Sequence, residues 1–109
     1  MANLDMAWPD VMGGGYHFLK LEGHYKKDSL LAGYAMHIGQ NGFRVSVGLH
    51  CNLILPQNGD ADFNMTMNVN EWFKNPNIYN FNTDGVFTMG DTILMKKLLQ
   101  NGADVFYSR

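Results

Sequence analysis

Histidine, cysteine and methionine are the side chains here that could bind a soft metal or act as nucleophiles, and their spacing limits what they can do. The histidines are His17, His24, His37 and His50, with no H-x-H or H-x-x-x-H pair to clamp an ion from one element. His17 falls in an alternating run with Leu19 and Leu21, so the simplest hairpin register puts it on an apolar face beside Met36 and Ile38. A histidine so placed is either a satisfied core residue or a metal ligand. His24, His37 and His50 fall on polar strand faces and read as solvated.

Met65-Thr66-Met67 sets two thioethers on one strand face, a pattern that suits Cu(I). The same positions continue the apolar series Phe63 to Val69, which favours core packing. Cys51, the single cysteine, excludes an internal disulfide and a multi-cysteine zinc site, and its apolar stripe predicts a buried, inert thiol. Asp60, Asp62, Asn64 and Glu71 imitate a calcium loop, but Met65 stands where the sixth-position glycine is required. No nucleophile elbow or phosphate-cradling loop occurs, and Gly13 to Gly15 precede a strand, not a helix. The residues therefore predict a non-enzymatic protein.

The elements that must position these groups are mostly strands. Tyr16 to Lys26 and Ala32 to Gly39 read as a hairpin turning at Lys27 to Leu30. Phe43, Val45, Val47, Leu49, Cys51, Leu53 and Leu55 alternate with mainly polar residues, predicting a strand with one buried face. Phe63 to Val69 reads as a fourth strand and Ala103 to Phe106 as a short fifth. A helical turn near 70–75, capped by Asn70, and one helix near 91–101 complete the chain. Ile93, Leu94, Leu98 and Leu99 form the expected apolar stripe of that helix, and Asn101-Gly102 its C-terminal cap. The fold class is mainly β: an antiparallel sheet or β-sandwich in a single domain over 1–109. One helix cannot cover a four-stranded sheet, so the cover is incomplete without a second copy or further residues.

A net charge of -2 argues against a nucleic-acid partner. No apolar stretch is long enough to span a bilayer, and the first residues lack the pattern of a secretion signal.

Four blocks carry a family likeness: Gly14-Gly-Tyr-His-Phe-Leu-Lys-Leu-Glu-Gly23, Ala35-Met-His-Ile-Gly39, Met67-Asn-Val-Asn-Glu-Trp-Phe-Lys-Asn-Pro76 and Met95 to Phe106. Over about residues 8 to 106 the chain resembles the MbnP-like domain family, which includes envelope proteins of methanobactin clusters and Bacteroidetes lipoproteins. The match is to the C-terminal half of that β-sandwich. The resemblance implies a periplasmic or cell-envelope binding protein, copper as the metal, and a dihaem peroxidase-type partner. It implies His17 as a metal ligand, while the tryptophan modified in relatives falls outside this chain, so Trp8 and Trp72 take no such role and Trp72, before Phe73 and Asn-Pro, reads as a packing residue. The alternative is a structural or partner-binding β module without metal, including a homo-oligomer.

Overall fold

A computed structural model describes residues 4–108; Met1 to Asn3 and Arg109, the ends of the expected domain, lie outside the described residues. The chain forms two small antiparallel sheets, one C-terminal helix and several short 3-10 turns, and among the described residues the sheets do not close into a barrel.

The larger sheet is the expected hairpin, β1 (His17–Lys27) and β2 (Leu30–Gly39). Its turn uses Asp28 at φ 56°, a left-handed conformation that a short polar side chain tolerates. Opposed pairs Leu19–Ile38 and Leu21–Met36 set the register, and Met36 and Ile38 are fully buried. The ladder shifts by one residue between His17 and Leu19, so His17 pairs with Gly39. Because side chains alternate with a period of two, one extra residue changes which face everything before it presents.

The smaller sheet pairs β3 (Met65–Met67) with β4 (Phe106–Ser108), three residues each. The last strand thus starts at Phe106 and not at Ala103, because Gly102–Asp104 continue the preceding helix as a 3-10 turn. The strand expected over 43–55 does not form a ladder among the described residues. Phe43 closes a 3-10 turn (Asn41–Phe43), and from there to His50 half-buried and exposed positions alternate, as in an extended chain. Periodicity specifies extension, but a ladder also needs a neighbouring backbone to accept and donate.

The helix α1 (Thr92–Asn101) is capped by Asp91, whose Oδ1 accepts from the amides of Ile93 and Leu94 at 3.1 and 3.0 Å. Its buried face is Met95, Leu98 and Asn101, with Leu94 half-buried; Ile93 points to solvent, contrary to the expected stripe. Gly102 is not in the left-handed cap conformation. It is needed for space, because a Cβ there would overlap Val45 and the Trp72 indole. The helical turn near 70–75 is Val69–Phe73, and its cap is Asn68, whose side chain accepts from Asn70 N, one position pair earlier than expected.

Met36, Ile38, Trp72, Tyr79, Leu98 and Val105 form the core, with Trp72 as the expected packing residue. Asn101 is buried among them and fully used: it accepts from Asn77 N and donates to the carbonyls of Trp72 and Asn77, each at 2.8 Å. Lys97 binds both carboxylate oxygens of Asp84 at 2.9–3.0 Å and lies over the Tyr79 ring, tying the 80–84 turn to α1. Hydrogen bonding from the Asn80 amide, then from Lys97, holds the Asp84 carboxyl below its usual pKa. Burial pushes Tyr79 up to about 12, so it stays a phenol donating to Gly85 O.

Candidate metal centre

The shift between His17 and Leu19 decides the site. It moves His17 off the Leu19–Leu21 face, where the uninterrupted register would put it, and onto the face of His37. The two imidazoles stand edge to face with ring centroids 5.0 Å apart. The expectation that His37 is a solvated surface residue is therefore overturned: only 13% of its side chain is exposed. His24 is exposed on the hairpin, and His50 is exposed beyond it.

A lid of chain from the N-terminal side covers His17. Ala7 bridges Tyr16, and Trp8 N donates to Gly15 O at 2.9 Å, so residues 7–16 fold back as a loop. Gly13, Gly14 and Gly15 all have positive φ, which allows so tight a return. Gln40 reaches across and donates to Met12 O. The loop seats the Trp8 indole 4.7 Å from the His17 ring, and Trp8 is buried. Gly39, opposite His17 in the ladder, makes room: a Cβ there would collide with the indole.

The hydrogen bonds fix which nitrogens are free. His17 Nδ1 lies 3.3 Å from Met6 O, and a carbonyl only accepts, so Nδ1 carries the proton and Nε2 the lone pair. His37 Nε2 lies 2.6 Å from Glu22 Oε1, so against the carboxylate Nε2 is the donor and Nδ1 is the nitrogen left facing inward. His17 Nε2 and His37 Nδ1 are both buried and have no hydrogen-bond partner. Burial lowers the His17 pKa, partly opposed by the Met6 carbonyl, and keeps the ring neutral at pH 7. The hydrogen bond from His37 lowers the pKa of Glu22.

Two imidazoles, each with one nitrogen held by an oxygen acceptor and the other without a hydrogen-bond partner, match the outer-sphere arrangement of metal-bound histidine. Among the described residues no group of three or more His, Cys, Asp or Glu side chains could hold a metal ion. The pair alone supplies two nitrogen donors, short of the four that a structural zinc site takes. The other sulfur candidates lie elsewhere. Cys51 is exposed, and Met65 and Met67 are 56% and 46% exposed, so neither the buried thiol nor the packed methionine pair is found. Both expectations assumed a covered sheet face, but Cys51 lies in no ladder and the two thioethers stand on a three-residue strand paired only with β4 among the described residues.

A family model described as MbnP matches residues 2–90. The chain belongs to the MbnP family. No curated protein and no solved structure matches it. The MbnP match spans the loop carrying Trp8 and both hairpin strands, so every residue of the centre lies within it. It stops before α1 and β4, so the Met95 to Phe106 block lies outside the matched residues. Two of the sequence blocks converge in space: Gly14–Gly23 supplies His17 and Glu22, and Ala35–Gly39 supplies His37 and Gly39. Among the described residues no helix of this MbnP-family protein is long and apolar enough to cross a membrane.

Proposed function

We propose that this MbnP-family protein is a non-enzymatic copper-binding protein of the cell envelope, with His17 Nε2 and His37 Nδ1 as its protein ligands to Cu(I). The observation that supports this reading is the pair of buried ring nitrogens without hydrogen-bond partners on adjacent imidazoles. A buried nitrogen acceptor with no partner costs stability, and a bound cation would offset that cost. Glu22 and the Met6 carbonyl would orient the rings, and Trp8 would exclude water from one side. Copper would serve as bound cargo or a redox centre, and a dihaem peroxidase-type partner belongs to the same proposal.

The test is anaerobic Cu(I) titration against a competing chromophoric chelator, with His17→Ala and His37→Ala alongside the wild type. One equivalent bound by wild type and none by either variant is expected. Equal retention by wild type and both variants would remove the assignment. A second reading, a partner-binding module without metal, draws on the exposed apolar residues beyond Leu49; it expects no stoichiometric metal by elemental analysis.

A further inference from the structure

The segment from Phe43 to Leu55 is apolar at every second position, yet among the described residues no strand pairs with it. Its near end is anchored, with Phe43 and Val45 packed on the core. Its far end is not: Leu53, Ile54 and Leu55 are 42%, 88% and 73% exposed. Edge strands that remain in water are normally protected by charges, proline or a bulge. Between Val45 and Leu55 there is neither a charged residue nor a proline.

The surface area makes the same point. The molecule exposes 7869 Å², whereas a compact monomer of 12.3 kDa exposes about 6,100 Å². The excess, about 1,800 Å², lies within the roughly 1,000–2,500 Å² that each subunit contributes to an obligate homodimer.

We propose that residues 45–53 pair antiparallel with the same residues of a second copy, across a two-fold axis at Leu49. In that register Val45 faces Leu53 and Val47 faces Cys51 on one side of the ladder, while Ser46 faces Asn52 and Gly48 faces His50 on the other. The apolar side maps onto itself, and so does the polar side, which is what a two-fold interface requires. Arg44 is the only Lys, Arg, Asp or Glu in 43–55, and it falls opposite Ile54, so no like charges meet. A foreign strand needs only one matching face and has no use for this internal symmetry. The pairing also supplies partners for backbone groups that extension leaves bare, His50 O apart, which already accepts from Ser108 Oγ at 2.8 Å.

The experiment is sedimentation equilibrium of the full chain over a dilution series, for wild type, Asn52→Pro and the double variant Leu53→Lys/Leu55→Lys. Wild type is expected to be a dimer that dissociates on dilution, and both variants monomers with unchanged far-UV circular dichroism, since positions 52, 53 and 55 are exposed. Hydrogen exchange on wild type needs no substitution: amides within 45–53 become protected as concentration rises. A monomer at every concentration, a dimer that survives both variants, or amides whose protection ignores concentration would overturn the proposal. So would a second polypeptide occupying 45–53 in place of the copy.

Discussion

Thr88 Oγ1 lies 2.7 Å from both the backbone nitrogen and the backbone oxygen of His37, accepting from the first and donating to the second. One fully buried hydroxyl thus replaces a neighbouring strand at the residue whose ring completes the histidine pair. Ala35 is held by the same segment, through Val86 O and the Thr88 amide. Thr88→Val keeps the shape but leaves both His37 backbone groups unpaired. The expected cost is about 2–6 kcal/mol, from roughly 1–3 kcal/mol for each of the two stranded groups, together with weaker Cu(I) retention. Thr88→Ser, which keeps the hydroxyl, should restore most of both in urea unfolding and chelator competition.

Glu22 is predicted to matter to the metal far more than to the fold. It is an exposed carboxylate whose structural role is to hold the His37 Nε2 proton at 2.6 Å. Glu22→Gln should lower Cu(I) affinity by about tenfold, the low end of outer-sphere effects, and leave the thermal midpoint nearly unchanged. An unchanged affinity would show that the Glu22 carboxylate does not tune the histidine pair.

Much of this centre was hidden in the sequence, and the reason is specific. The hairpin, the helix near 91–101 and the packing role of Trp72 all follow from local periodicity and chemistry. The His17–His37 contact depends on one extra residue between His17 and Leu19, and no local signal marks a bulge there. Without it the two rings would lie on opposite faces. The glycines were the available clue: Gly13 to Gly15 and Gly39 stand where a fold-back and a close ring approach need them. The 43–55 series was legible as extended chain, but alternation cannot say which backbone completes the ladder.

Acid should act on the folded protein through His17. Burial lowers its pKa from the ordinary 6.5, so folding favours the neutral ring. As pH falls below 6.5 the unfolded chain binds the proton first and stability decreases; the loss levels off below the folded pKa, and above 6.5 the effect is absent. Glu22, whose pKa is lowered, gives a contribution that is lost in a more acid window, as pH drops from 4.5 through its folded value. The first step should disappear from a urea-midpoint against pH profile of His17→Ala, and Cu(I) release should track it in wild type.

Asn101 is expected to be the costliest polar residue to replace. Its amide satisfies three backbone groups, on Trp72 and Asn77, that α1 and the 69–77 segment otherwise bury against each other. Asn101→Leu should cost roughly 3 kcal/mol or more, since each orphaned group is worth about 1–3 kcal/mol. Equilibrium unfolding measures it, and a change below that of an exposed control such as Gln100→Leu would refute the hub.

Gly39→Ala tests whether the Trp8 lid and the histidine pair are one structure. The added methyl falls where the indole now lies, so either the strand or the loop must move. β2 is held by the ladder and by Thr88, while the loop is held by few bonds, chiefly Trp8 N to Gly15 O and the Gln40 contact, so the loop should yield. One of the two tryptophans should then become accessible to acrylamide, with Trp8→Phe identifying it as Trp8. His17 would lose its cover, and its pKa, depressed mainly by burial, should rise toward 6.5 in an NMR titration. A quenchable Trp8 with an unmoved His17 titration would mean that the indole does not seal the site.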